Sequence, residues 1–184
     1  LPIILNFLKS IPDYDIIIFL DGRDIFVVGS LEEAITKFKN TGAKWFISTV
    51  RWFWPDKNLA PLFPDNPSPL KYINSGAFIG YAGFVKDLLT KMKPLMKDDI
   101  RSDQLIFAQF LVRDNRHLLD DGLVKLDYNC EIFLTLKSVN VNDVFLDESN
   151  LRIIYIPSNS MPFAIHGNGN EELWKELSRK IYKI

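Results

Sequence analysis

One cysteine occurs in 184 residues, Cys130. An intrachain disulfide is thereby excluded, and the apolar neighbours of Cys130 mark a buried structural thiol rather than a nucleophile. A charge excess of either sign is also missing: 22 Lys and Arg stand against 23 Asp and Glu, for a formal net charge of −1. Because these charges are scattered, there is no basic stripe for nucleic acid or an anionic membrane surface, and both partners are set aside. No apolar run approaches the ~20 residues that span a bilayer. No GxxxxGK[ST] segment exists, which argues against a P-loop NTPase. The chain starts at Leu1, with no charged segment ahead of an apolar stretch, and reads as a fragment whose targeting signal was removed or never existed.

What is present alternates strands with helices. Residues 2–11 suit a short amphipathic helix stopped before Pro12, and 15–20 form a continuous apolar run of strand length, expected to be buried. Ser30 and Glu33 have capping-box spacing, predicting a helix over 31–40 that Gly42 closes. Residues 44–50 read as a second strand. From Arg51 to Lys71 five prolines and four aromatics describe an ordered surface loop. Residues 72–82 follow as strand and turn, 84–97 as a helix kinked at Pro94, and 103–113 as another helix. Short strands at 123–127, 151–156 and 163–166 precede a closing amphipathic helix. With no repeat, low-complexity segment or linker, residues 1–184 read as one α/β layered domain.

The apolar run of "DIIIFLDGRDIF" ends on two carboxylates three positions apart. In an open α/β sheet, ligands bind beyond the carboxyl ends of the strands, where Asp21 falls. Asp21 and Asp24 offer hard oxygen ligands suited to Mg²⁺ or Mn²⁺, and an ion held there bridges naturally to a diphosphate. The plainer reading is a turn, with Asp24 starting it and Asp21 capping it. His117, in "VRDNRHLLDD", reads as an ordinary surface residue.

Four further stretches, "RWFWPDKNLAPLFP", "YINSGAFIGYAG", "RSDQLIFAQFLV" and "FAIHGNGN", stand in order behind "FLDGRDIF". Together they resemble the glycosyltransferase domain of the procollagen lysyl hydroxylases, a family with animal and giant-virus members, from about Asp15 to Gly169. The resemblance implies a GT-A fold, a mostly parallel nucleotide-binding sheet flanked by helices, with a UDP-sugar donor held through Mn²⁺, Mg²⁺ being the other candidate. It makes Asp21, Asp24 and His166 the metal ligands. It lays Trp54 over the sugar, although a tryptophan also suits anchoring the proline-rich loop to the core. It puts Asn74, Ser75 and Gly76 beside the donor, with Asn74 on sugar hydroxyls and Gly76 allowing close backbone approach. Gly167, Asn168 and Gly169 extend the donor site. Asp103 and Gln104 match the acceptor side, with Asp103 the catalytic candidate, steering the acceptor hydroxyl or stabilising developing positive charge.

The implied acceptor is hydroxylysine or galactosylhydroxylysine of a collagen-like protein, and glucosyl transfer from UDP-glucose would proceed with retention. A cellular member would work in the endoplasmic reticulum lumen, a viral one in its host cell. The departures from the family are specific. Ala77 replaces a glycine. Arg101 and Ser102 replace carboxylates, although Ser102 also suits a helix N-cap. Glu172 replaces a lysine suited to diphosphate charge, with Lys175 one turn on as its substitute. Only twenty residues precede Asp21, where a GT-A domain builds its first strand, helix and second strand. Arg101, Ser102 and Glu172 favour the alternative, a catalytically impaired GT-A-like module that binds nucleotide-sugar or metal; a third reading is an accessory domain docking through the loop around Trp52 and Trp54.

Overall fold

The computed structural model describes residues 1–96 and 102–182. Its principal sheet has the order β1-β4-β3-β5, from Ile16–Leu20 (β1), Trp45–Val50 (β3), Tyr72–Tyr81 (β4) and Val124–Leu126 (β5). β4 runs antiparallel to both β1 and β3, whereas β3 and β5 are parallel. The expected α/β class holds, but the sheet is mixed rather than mostly parallel. β1, β3 and β5 share one direction, and β4 is wedged between two of them against it. The carboxyl ends of β1 and β3 therefore meet the first half of β4. That junction carries the site.

A second sheet, in the order β2-β9-β6, joins Ile25–Val27 (β2), Ala164–His166 (β9) and Phe133–Thr135 (β6), and Val144–Asp147 (β7) pairs with Arg152–Tyr155 (β8) as a ribbon. β2, β6 and β7 were not legible in the sequence. Strands of three or four residues show no period of their own; their neighbours across the sheet define them.

Each sheet is covered by helices whose starts and stops follow local chemistry. α1 (Pro2–Leu8) carries proline in its first turn, where the missing N–H costs nothing. α2 (Leu31–Thr41) begins at Ser30, whose side chain accepts the Glu33 N–H at 3.1 Å. It ends at Gly42, whose φ of 69° is left-handed. Glu33 does not complete a capping box: its carboxylate pairs with Lys37 and Arg152, which hold its pKa below the usual range. α3 (Ala82–Met92) stops where Pro94 imposes a short 3₁₀ turn over Lys93–Leu95, one turn earlier than the sequence suggested. α4 (Asp103–Ala108) opens with Ser102 accepting the Leu105 N–H and widens into a π-helical turn over Gln109–Asp114. α5 (His117–Asp120) is a single turn that leaves His117 exposed, and α6 (Glu171–Tyr182) closes the described chain. None of these helices is long and apolar enough to cross a membrane.

α1, α3 and α4 cover one face of the principal sheet, where Trp45 meets Phe78 and Phe107 edge-on at 5.5 and 5.0 Å. Phe38 of α2 and Phe133 of β6 fill the other face, with Ala77 among the buried residues there. Leu173 and Leu177 of α6 close a third cluster over Leu134 and Ile165. β1 is only partly buried along its length, contrary to expectation, because it is the sheet's edge and pairs on one side alone. Cys130 is fully buried, and burial pushes its thiol well above the ordinary pKa.

Candidate active site

Asp21 leaves β1 and is fixed at once: its N–H donates to the Gly76 carbonyl of β4 at 2.8 Å. Asp24 sits just before β2, whose antiparallel register places Ile25 opposite His166 of β9. The Asp24 carbonyl accepts the Gly167 N–H, and its Oδ2 accepts the Asn168 N–H, both at 2.8 Å. Asp24 Oδ1 thus faces His166 Nε2 at 3.2 Å. One ligand atom from each of Asp21, Asp24 and His166 can be chosen so that all lie within 4.8 Å of one another, the sole such cluster of three or more among the described residues. Asp24 and His166, 142 positions apart, meet because β2 and β9 are hydrogen-bonded neighbours.

The histidine's state follows from its partners. His166 Nδ1 lies 3.0 Å from Asn74 Oδ1, an oxygen that also accepts the Gly76 N–H at 3.1 Å and the Ser48 hydroxyl at 3.1 Å. An oxygen in that role requires the proton on Nδ1, leaving the Nε2 lone pair toward Asp24. Burial pulls the His166 pKa down, with Asp24 and Asp21 opposing. A neutral imidazole then aims a lone pair at a carboxylate, an arrangement that calls for a cation between them. One imidazole and two carboxylates suit Mn²⁺ or Mg²⁺, and the fixed Nδ1 partner is the orienting contact that metal-bound histidines need. The donor set fits the ion.

Asn74 borders the cleft with its side chain bonded within the protein. Its Oδ1 is fully engaged, and its Nδ2 donates to Gln104 Oε1 at 3.5 Å; Gln104 Nε2 in turn donates to the Trp54 carbonyl at 2.7 Å. An amide chain runs from the histidine through Asn74 and Gln104 to the aromatic loop. Gly76 is likewise explained from within the protein: a Cβ there would come within 2.3 Å of the His166 ring. Gly76→Ala should displace the imidazole, cost roughly 1 to 3 kcal/mol of stability as overpacking does, and weaken divalent-ion binding. Thermal unfolding and metal titration check both effects.

A cleft of about 250 Å³ opens over the triad, and Trp54, Asn74, Ser75, Gly76, Asp103, Gln104 and Asn168 all line it. Gly167 and Gly169 do not: Gly167 is packed against the Trp174 indole, where a Cβ would meet Cδ1 at 2.5 Å, and Gly169 is exposed with a φ of 83°. Asp103 Oδ1 accepts the Ser75 hydroxyl and the Gln104 N–H, both at 2.8 Å, so one oxygen is held while the carboxylate borders the cleft. Trp52 and Trp54 are each 61% exposed, whereas Phe53 between them is 6% exposed and packs on Phe63 and Tyr72. Phe53 anchors the loop and the two indoles are presented to the cleft.

Of the departures, Arg101 lies outside the described residues. Ser102 lines the cleft with its hydroxyl engaged as the α4 cap. Glu172 does not line it: it borders a separate groove on α6 with Glu171, Lys175, Glu176 and Arg179, and Lys175 pairs with Glu171. Glu172→Lys should accordingly leave divalent-ion affinity within about twofold, since Glu172 is exposed and lies outside the cleft over the triad. Calorimetric titration checks it. A larger cavity of about 410 Å³ beside β5, bordered by Phe46, Lys125 and Tyr128, lies away from the triad and holds no metal-ligating cluster among the described residues.

Sequence reasoning passed over two residues. Lys137, in the loop after β6, lines the cleft. Asp127, fully buried after β5, accepts the N–H groups of Glu131, Ile132 and Phe133 at 2.7, 2.9 and 2.8 Å. Burial pushes its pKa up to about 6 against those donors. It fixes the turn into β6, the strand beside His166. Its signal was an acid at a strand end, the same as that of Asp21.

Comparison with known proteins agrees with this architecture. Mouse xyloside xylosyltransferase 1 superposes with a TM-score of 0.53 at 18% identity, over 91% of this chain and 63% of that one. The galactosyltransferase LgtC, crystallised with donor and acceptor sugar analogues, gives 0.53 at 15% identity over 98% and 65%. A procollagen-lysine,2-oxoglutarate 5-dioxygenase of Drosophila melanogaster is 39% identical over 160 residues, 84% of this chain and 21% of that protein. The human multifunctional procollagen lysine hydroxylase and glycosyltransferase LH3 is 31% identical over 86% of this chain and 21% of its own length. An Acanthamoeba polyphaga mimivirus protein is 31% identical over 88% of this chain and 33% of its length. The chain thus spans about a fifth to a third of these relatives. The PLOD GT domain model matches residues 3–178. With the fold, the triad and that match in agreement, the chain belongs to the PLOD glycosyltransferase domain family.

Proposed function

We propose that this domain binds a UDP-sugar with Mn²⁺ and transfers its hexose to a hydroxyl, and that the acceptor is a hydroxylysine or galactosylhydroxylysine of a collagen-like protein. The observation carrying this reading is the convergence of Asp21, Asp24 and His166 beneath a cleft bordered by exposed indoles and Asp103. Asp21, Asp24 and His166 would hold the ion, which supplies positive charge for the donor diphosphate. Trp52 and Trp54 offer apolar faces that stack on a pyranose and shield a labile donor from water. Asp103, held by Ser75, keeps a carboxylate where positive charge develops on the sugar or the acceptor hydroxyl must be steered. The names of the relatives support this acceptor, and the fold type supports this donor.

Hydrolysis and transfer from UDP-glucose, UDP-galactose and UDP-glucuronate with Mn²⁺ tests the reading and identifies the sugar. Asp103→Asn should retain nucleotide affinity and lower turnover by about 10²-fold or more. Unchanged turnover would return Asp103 to a helix-start acid. The second reading, a module that binds donor without turning it over, draws on Ser102, whose hydroxyl at the cleft wall is occupied as a cap. UDP binding without transfer from any of the three donors would favour it.

A further inference from the structure

We infer that Lys137 is the cation through which this chain holds the donor diphosphate, an assignment that rests on the UDP-sugar reading above. Among the described residues lining the cleft, Asp21, Asp24 and Asp103 are the carboxylates and Lys137 is the sole lysine or arginine. Three carboxylates against one ammonium leave two net negative charges, which one divalent ion neutralises. A diphosphate arriving at that neutral floor then needs a positive group able to turn toward it. Lys137 is partly buried, and no ion-pair partner faces it among the described residues. Lys175 on α6 is already paired with Glu171 and borders a different groove.

The loop carrying Lys137 is built onto the triad. Thr135 is in register with His166 across the parallel β6 and β9, and the Leu136 N–H donates to the His166 carbonyl at 2.8 Å. Lys137 therefore emerges one residue beyond a direct backbone bond to the metal-binding histidine. From the other side, Asn170 Nδ2 donates to the Leu136 carbonyl at 3.2 Å and reaches the Val139 carbonyl at 3.5 Å. The same side chain turns its Oδ1 to the Leu173 N–H at 3.4 Å, starting α6. Asn170 thus ties the Lys137 loop and the last helix to one point. Lys137 thus borders the cleft from the β6 loop rather than from α6, and no protein carboxylate is paired with its ammonium among the described residues.

The test is UDP titration in Mn²⁺ by calorimetry, with quenching of Trp52 and Trp54 fluorescence as a second readout, for the wild type, K137M and K137R. Mn²⁺ affinity without nucleotide is read by electron paramagnetic resonance. K137M should weaken UDP binding by about tenfold to a hundredfold, the size of one charge-assisted contact. Its Mn²⁺ affinity should stay within about twofold, its salt dependence of UDP binding should be shallower, and K137R should recover most of the loss. Wild-type UDP affinity in a folded K137M with Mn²⁺ binding intact overturns the assignment and leaves the donor reading standing. A wild type that binds Mn²⁺ but no UDP overturns the donor reading, and the assignment with it. If K137M fails to fold, K137Q carries the same expectations.

Discussion

Asp24→Ala should lower Mn²⁺ affinity by about a hundredfold or more while the circular dichroism spectrum stays that of the parent. Loss of an outer-shell partner alone commonly costs 10- to 100-fold in metal affinity, so loss of a direct ligand sets a larger effect. Asp24 does two jobs: Oδ1 faces His166 Nε2 and Oδ2 accepts the Asn168 N–H. Removing it leaves that N–H without its acceptor, at a cost of about 1 kcal/mol in folding stability, too little to unfold a domain of this size. UDP binding that depends on Mn²⁺ should vanish with the ion. Unchanged metal and nucleotide affinities would restore the plain reading of Asp24 as a turn residue.

The largest stability effect is expected at Asp127 rather than at the site. Asp127→Ala strips the acceptor from three consecutive backbone N–H groups in the turn before β6. Relieving the burial of one charge offsets part of that loss, and a net destabilisation of roughly 3 kcal/mol remains. Denaturant unfolding measures it. The pH dependence has a definite sign. The folded-state pKa is raised from 3.8 to about 6, so between those values the folded chain holds a proton that the unfolded chain has released. Stability contributed by this group therefore declines as pH rises through that window, and the alanine variant should lose that slope. The same turn precedes β6 and the Lys137 loop, so the variant should also weaken UDP binding.

Asp127 illustrates what the sequence conceals. An acid at the end of a strand is legible, but whether its carboxylate meets solvent, a metal or backbone donors depends on where the next loop returns. Asp21 and Asp127 give the same local signal and have opposite surroundings: one is exposed at the cleft, the other fully buried. The helix starts at Ser30 and Ser102 were readable, because a cap is a contact between near neighbours. The edge position of β1 was not, since an apolar run of five residues reads the same in the middle of a sheet as at its margin. The metal triad was reached through family resemblance, because Asp24 and His166 are far apart in the chain and meet through a three-residue strand. Asn74 and Gly76 were recognised as site residues, but their contacts are with the histidine. Only the packed structure shows that a glycine is needed to seat a ring, or that an amide serves to fix a tautomer.

The account stands most directly on one measurement: pulsed electron paramagnetic resonance of Mn²⁺ bound to the protein together with UDP. The predicted spectrum contains a ¹⁴N coupling from a directly bound imidazole, lost in His166→Ala, and a ³¹P coupling from the diphosphate in the same complex. A Mn²⁺ signal with UDP present that shows neither coupling, or a ¹⁴N coupling that survives in His166→Ala, would contradict it.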